Sequence, residues 1–104
     1  MENEVLPKSK IVVLGGKVQS VERWVLWNGN PVNTLSIRRT DHGFSVSSED
    51  PQKGGSRDVV GRTLSYALLG FPNAVRGRYI RLFMQSATYK ELKQDFPDYE
   101  IEIS

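Results

Sequence analysis

Hydrophobic and polar residues alternate along much of the first half of the chain, which is the pattern of β-strands with one buried face. This pattern and a short β-branched run define four strands before the first helical pattern. The second strand ends in a dense apolar group, Trp24 to Trp27, which is typical of a strand covered on both faces or lying at an interface. The predicted strands cover residues 10–14, 18–27, 32 or 34 to 39, and 44–47.

Turn-forming residues separate these strands. Asn28-Gly29 is the strongest hairpin signal in the chain, because both residues tolerate the positive φ of a type I′ turn. Pro31 has no N–H to donate, so we expect regular pairing to resume only after it. The segment from Thr40 to Gly43 predicts a second tight turn, and the polar segment from Ser48 to Ser56 predicts a loop that separates the strands from the helices.

The second half of the chain mixes helical and strand patterns. Apolar residues at helical spacing predict a helix that is capped by Ser56 or Asp58 and ends near Leu69. In that helix Asp58 and Arg62 would lie four residues apart and could form an ion pair. The remaining predicted elements are a strand from Arg78 to Met84, a helix that begins at Ser86 or Thr88 and ends at Pro97, and a strand from Tyr99 to Ile103.

The predicted element order is β-β-β-β-α-β-α-β. Strands that precede the helices favour an α+β fold, with a mostly antiparallel sheet of about five to six strands and two helices packed on one face. The chain has 104 residues, which is the length of one domain. We therefore predict a flexible N-terminal lead over residues 1–9 and a single domain over residues 10–104.

The composition lacks most reactive side chains. The chain has no cysteine and a single histidine, which excludes a cysteine nucleophile, a redox pair and a zinc knuckle. We predict no cofactor and no metal site. The lack of cysteine favours a cytoplasmic location, and the charged N-terminal segment does not resemble a secretory signal. The longest apolar runs are too short to cross a bilayer, so no membrane partner is predicted.

An enzyme would have to use His42, which lies between Asp41 and Gly43 in the second predicted turn. A general base oriented by the neighbouring aspartate is one interpretation. However, adjacent residues rarely hold their side chains in that geometry, and a histidine in a hairpin turn is usually an exposed polar residue. Catalysis by His42 is therefore a second alternative, and no catalytic residue is assigned.

Charge is unevenly distributed along the chain, although the net charge is only +2. Residues 51–81 carry six basic groups and one acidic group, whereas residues 82–104 carry two basic groups and five acidic groups. Arginine suits bidentate contacts with carboxylates and phosphates. A surface that binds an acidic protein partner is predicted from Arg57, Arg62, Arg76, Arg78 and Arg81.

The same segment supports a nucleic-acid-binding alternative. In a strand over residues 78–84, Tyr79, Arg81 and Phe83 would share one face, where aromatic rings can stack on bases while arginines bind phosphates. The segment lacks the full consensus of RNA-recognition strands, and the domain is only mildly basic. The residues assigned to this alternative are Arg38, Arg39, Arg76, Arg78, Tyr79 and Arg81.

Trp24 and Trp27 provide the main argument for an interaction protein. They are an odd number of residues apart, so a regular strand sends their side chains to opposite faces. One of the two then needs a second cover, from the helices, the termini or another chain. The leading hypothesis is a small non-enzymatic adaptor, inhibitor or accessory subunit that binds another protein through these tryptophans and the arginine-rich segment. A homo-oligomer is also left open.

Overall fold

A computed structural model describes residues 8–85 and 87–104. These residues form six strands and three helices around one hydrophobic core. The strands are β1 (Lys10–Leu14), β2 (Lys17–Trp27), β3 (Asn30–Thr40), β4 (Gly43–Glu49), β5 (Ser56–Gly61) and β6 (Glu100–Ile103). The helices are α1 (Leu64–Ala67), α2 (Asn73–Met84) and α3 (Tyr89–Asp95).

The strands form a single sheet in the order β5-β4-β3-β2-β1-β6. The first five strands form an antiparallel meander, and β6 pairs parallel to β1. The three helices connect β5 at one edge of the sheet to β6 at the other, and they cover one face on the way. The predicted α+β class with a mostly antiparallel sheet is therefore confirmed, with three helices instead of two.

Residues 56–61 form strand β5, so the prediction of a helix beginning at Ser56 or Asp58 is wrong. The preceding loop closes a hairpin, because Gly54 and Gly55 take positive φ values of 76° and 88° that reverse the chain. The helix begins only after Thr63, whose hydroxyl accepts a hydrogen bond from the N–H of Tyr66. Asp58 and Arg62 are consequently not on one helix, and the expected helical ion pair does not apply.

Residues 73–84 form helix α2, so the predicted strand over residues 78–84 is also wrong. The buried side chains of α2 are Tyr79, Leu82 and Phe83, which recur at helical spacing. The next helix, α3, begins after Thr88, whose hydroxyl accepts a hydrogen bond from the main-chain N–H of Glu91, so Thr88 is the N-terminal cap. The alternative cap, residue 86, lies outside the described residues.

The core lies between the helices and one face of the sheet. Alternate strand residues such as Val21, Ile37 and Val46 point into it, and Phe83 of α2 packs against them from the other side. The opposite sheet face, here termed the open face, carries short polar side chains at its centre. They are Ser20, Ser36, Ser45 and Ser47.

Tyr79 of α2 and Tyr99, which precedes β6, bring their hydroxyl oxygens within 3.0 Å of each other in the core. Phe96 packs against both rings, with its centroid 5.1 Å from that of Tyr99. Burial raises the pKa of Tyr99 above its ordinary value of 10.0, and the hydrogen bond with Tyr79 adds to the effect. Folding therefore favours the neutral phenol of Tyr99.

We expect the protein to lose stability as the pH rises above about 10. The phenol of Tyr99 ionises near 10.0 in the unfolded chain, whereas the folded protein holds its proton to higher pH. Its contribution is complete below the unfolded pKa and is lost as the pH rises toward the folded pKa. Urea unfolding between about pH 8 and about pH 11 should show a steeper loss for wild type than for Tyr99→Phe, and equal slopes would contradict this account.

Candidate functional site

The longest hairpin of the sheet joins β2 and β3, each 11 residues long. Both central residues of its turn have positive φ, 51° at Asn28 and 80° at Gly29, as the predicted type I′ turn requires. Pairing begins at once, with Trp27 opposite Asn30, so the expected delay after Pro31 is wrong. The pair that flanks a two-residue turn is hydrogen-bonded, which leaves the nitrogen of Pro31 pointing away from β2, where no donor is needed.

The outer part of this hairpin extends beyond its neighbours in the sheet. β1 pairs with β2 only as far as Glu22, and β4 pairs with β3 only from Ser36 onward. Within the described part of the chain, residues 24–33 therefore form a two-stranded ribbon, here termed the hairpin tip. A ribbon of two strands has little stability of its own in water, so this segment depends on the base from which it projects.

The hairpin tip is apolar on both faces. Trp24 and Leu26 point to the open face, and Val25 and Trp27 point to the side on which the helices lie, since successive strand residues alternate. The indole N–H of Trp24 donates to a carboxylate oxygen of Glu22 at 3.2 Å, which fits the assignment of both residues to the open face. The odd spacing of the two tryptophans thus separates them as expected.

These side chains lie outside the core. Neither the core cluster of the described residues nor the hydrophobic side chains packed against it include any residue of the hairpin tip. Leu26 is 58% exposed and Trp27 is 38% exposed, whereas Trp24 is half-buried. The tryptophans therefore do not fill the domain's own core, and apolar surface of the hairpin tip remains in contact with water.

Hydrogen bonds fix the base of the hairpin tip. The N–H of Trp24 donates to the hydroxyl of Ser9 at 3.0 Å, and the side-chain amide of Asn33 donates to the carbonyls of Arg23 and Leu35, both at 3.3 Å. Ser9 belongs to the predicted flexible lead, of which residues 1–7 lie outside the described residues. An anchored projection loses less conformational entropy on binding than a mobile loop does.

The sequence prediction assigned partner binding only to the two tryptophans of the hairpin tip, although the apolar group from Trp24 to Trp27 also contains Val25 and Leu26. Leu26, Val25 and Val32 complete the apolar surface, and Val25 lies directly opposite Val32. The signal that could have identified them is a run of uncharged residues, because no Asp, Glu, Lys or Arg occurs between Arg23 and Arg38. Apolar surface without charge is typical of the centre of a protein interface, where charged residues are depleted.

The arginines predicted to bind a partner do not all lie together. Arg62 follows β5 at the end of the sheet opposite the hairpin tip, whereas Arg78 and Arg81 line a groove between α2 and α3. Arg62 and Arg81 are exposed and make no hydrogen bond or ion pair within the described residues. The other three donate to main-chain carbonyls of the protein itself: Arg57 to Leu69, Arg76 to Ser65 and Arg78 to Asp95.

The residues assigned to the nucleic-acid alternative do not all share one surface either. Arg38 points to the open face, whereas Arg39 lies against the helix side and donates to the carbonyls of Val18 and Phe83. Tyr79 is only 3% exposed, so its ring offers no surface on which a base could stack. The remaining arginines of this set lie on α2, which is a helix rather than the expected strand.

His42 is exposed on the turn between β3 and β4, where its main-chain N–H donates to the hydroxyl of Thr40 at 3.4 Å. The groove between α2 and α3, of about 720 Å³, is lined by polar residues such as Arg81 and Glu91, and His42 is not one of them. Among residues 8–85 and 87–104, no cluster of three or more His, Asp or Glu side chains is suited to hold a metal ion.

None of the helices described here is long and apolar enough to span a membrane. The chain matches no family model, and it matches neither a curated protein nor a solved structure. The contacts of its own residues are therefore the basis for a functional proposal.

Proposed function

We propose that this chain is a non-enzymatic protein-binding module that docks through its hairpin tip. The observation that carries the proposal is an anchored, uncharged ribbon that projects beyond the sheet and is apolar on both faces. Since both faces are apolar, a cleft in a partner protein fits them better than a flat surface does. Trp24 and Leu26 would contact one wall of that cleft, and Val25 and Trp27 the other.

A protein cleft suits this surface better than a lipid bilayer. The Asn28-Gly29 turn lies at the far end of the hairpin tip, so insertion into hydrocarbon would carry its amide and main-chain groups deepest. Polar groups without hydrogen-bond partners are costly in hydrocarbon. A protein can instead bind these groups or leave the turn in water. A cytoplasmic location, which the lack of cysteine favours, belongs to the same proposal.

The arginines have a secondary part in this proposal. Arg62 and Arg81 lie apart from the hairpin tip, and Arg57, Arg76 and Arg78 already donate to the protein's own carbonyls. Positive charge outside the contact region mainly raises the rate of association with an acidic partner. The affinity of an adaptor, inhibitor or accessory subunit of this kind would come from the apolar hairpin tip.

Photo-crosslinking from the hairpin tip tests the proposal. p-Benzoylphenylalanine at position 26 replaces an exposed side chain of the tip, and the same group at position 89 replaces exposed Tyr89 of α3 as a control. In an extract of cells that express the protein, position 26 should give a discrete adduct and position 89 should not. Excess wild type should suppress the adduct, and excess Trp24→Ala/Trp27→Ala should not. Equal suppression by both competitors would refute docking through the tip.

We expect the Trp24→Ala/Trp27→Ala variant to remain folded. Both side chains lie outside the core, and the cross-strand pair that each one forms contributes about 0.2–1 kcal/mol to the free energy of unfolding. Replacing a core aromatic such as Phe83 with alanine costs about 3–5 kcal/mol. Urea unfolding should therefore show a loss below about 2 kcal/mol for the double variant, and a loss as large as that of Phe83→Ala would make the tryptophans structural.

A further inference from the structure

The two edges of the sheet differ in their protection against pairing with another strand. At one edge, β6 carries the carboxylates of Glu100 and Glu102, the second of which forms an ion pair with Lys10 at 2.8 Å. Like charges on an edge strand oppose its pairing with a second copy. At the other edge, β5 carries one charge of each sign, on Arg57 and Asp58, and Arg62 follows the strand. Its Val60 is 75% exposed. β5 is therefore the less protected edge.

The outer side of β5 offers main-chain groups for pairing. The N–H of Asp50 donates to the carbonyl of Gly55 at 3.3 Å, one position beyond the last pair of the β4–β5 ladder, so that last pair, Glu49 with Ser56, is a non-hydrogen-bonded one. Hydrogen-bonded and non-hydrogen-bonded pairs alternate along an antiparallel ladder. The N–H and C=O groups of Ser56, Asp58 and Val60 therefore point away from β4, toward a side where the described residues place no further strand.

We infer that β5 of a second copy pairs antiparallel with this edge, with Val60 opposite Val60 and Asp58 opposite Arg62 of the other copy. This register joins the outward main-chain groups and covers the exposed valine with its own counterpart. It also brings together two opposite charges that form no ion pair within residues 8–85 and 87–104. A register centred on Asp58 would instead oppose two carboxylates, which destabilises a strand pair.

In the same register, the two paired β5 strands also make apolar contacts on the face of the sheet that carries the helices. The ring of Tyr66 lies against Gly61, where an added Cβ would come within 2.7 Å of the ring. Gly61 faces Val59 of the second copy, so the Tyr66 ring, which is 59% exposed in the single chain, would lie over that valine. Pairing of the two β5 strands would therefore bury apolar surface on both faces of the sheet.

A second copy fits this edge better than an unrelated strand because the edge contains its own complement. Asp58 lies two positions before Val60 in the sequence and Arg62 two positions after it, so a two-fold axis through Val60 brings Asp58 of one copy toward Arg62 of the other. An interface of this kind uses the same patch on both subunits. An unrelated strand would have to supply both charges and the apolar residue in the reverse order.

Charge reversal tests the register. In sedimentation equilibrium, wild type should change from one chain to two as its concentration rises. Asp58→Arg and Arg62→Asp each oppose like charges, so each variant alone should dimerise at least about 10-fold more weakly. An equimolar mixture of the two variants should recover the wild-type affinity, because each copy then carries the complement of the other. Asp41→Arg makes the same charge change on an exposed turn and should leave dimerisation unchanged.

A second set of variants keeps the inference testable if a charge-reversal variant does not fold. Val60→Lys should give a monomer, because lysine on an edge strand opposes pairing. Trp24→Ala/Trp27→Ala should dimerise like wild type, which separates this contact from the hairpin tip. A wild type that stays monomeric up to about 500 µM overturns the inference, and so does a dimer that Val60→Lys leaves intact. Loss of the dimer in the tryptophan variant would also overturn it, by assigning the contact to the tip.

Discussion

Arg39→Ala should lower the free energy of unfolding by about 2–4 kcal/mol, although Arg39 is only half-buried. Its Nε donates to the carbonyl of Val18 at 3.0 Å, and its Nη2 donates to the carbonyl of Phe83 at 2.7 Å. A hydrogen bond from a charged donor contributes about 1.5–3 kcal/mol, more than a neutral one does. The guanidinium carbon also lies 5.3 Å from the ring centroid of Phe44 and 5.4 Å from that of Phe83.

Arg39 connects the sheet to the C-terminal end of α2 through its two hydrogen bonds. Phe83 belongs to the last turn of that helix, where main-chain carbonyls lack helical partners and the helix dipole attracts a cation. The rings of Phe83 and Phe44 also meet edge to face, with centroids 5.6 Å apart. Removing the guanidinium would leave two carbonyls without their partner at the centre of this contact, which is why we expect a large effect.

Arg38→Ala is the matched control, because Arg38 is the preceding residue and is exposed on the open face. Its replacement should change the free energy of unfolding by less than about 0.5 kcal/mol. The loss in free energy of unfolding for Arg39→Lys should lie between those of Arg38→Ala and Arg39→Ala, since one ammonium group cannot bind both carbonyls as the planar guanidinium does. Urea unfolding of the three variants at neutral pH measures these losses, and equal losses at positions 38 and 39 would contradict this role.

The structure of residues 78–84 shows what a local pattern leaves undecided. Tyr79, Arg81 and Phe83 alternate as in a strand, yet Tyr79, Leu82 and Phe83 also recur as on a helix. The choice depends on topology, because the chain must return from β5 at one edge of the sheet to β6 at the other while covering the apolar face. A helix of 12 residues, about 18 Å long, serves as part of this connection. A short sequence window does not reveal that the chain has to make such a connection.

The β5 strand was missed for a different reason. Gly54 and Gly55 predicted a loop. Their positive φ values form a hairpin turn, but glycines are equally typical of flexible connections, so these two residues alone do not indicate a hairpin. Val59 and Val60 fit a helical spacing with later residues as well as they fit a strand. Pairing with β4 makes this segment a strand. The spacing of apolar residues within the segment contains no information about that pairing.

The hairpin tip could be predicted only in part. Strand periodicity places Trp24 and Trp27 on opposite faces, because side chains alternate along any regular strand. Their exposure depends instead on where the neighbouring strands end, and β1 has 5 residues against the 11 of β2. The arginines show the same limit: the sequence locates their charge, but not the carbonyls that bind Arg57, Arg76 and Arg78.

The largest effect is expected on binding at the hairpin tip. Replacing either Trp24 or Trp27 with alanine should weaken binding to the partner captured by crosslinking at least about 30-fold, which corresponds to about 2 kcal/mol. Indoles in fully desolvated pockets commonly account for losses of this size. Because the two rings leave opposite faces of the ribbon, a cleft requires both, whereas a flat partner surface would require only the ring that faces it.

Calorimetry with the purified partner separates these geometries. Comparable losses for Trp24→Ala and Trp27→Ala would support a cleft, and a loss at one position alone would replace the cleft by a one-sided contact. Tyr89→Ala, which removes an exposed aromatic ring from α3, should leave the affinity unchanged. The affinity should also vary little with salt, since the tip carries no charge that ions could screen. A steep decline with salt would mean that the arginines, and not the apolar ribbon, hold the complex together.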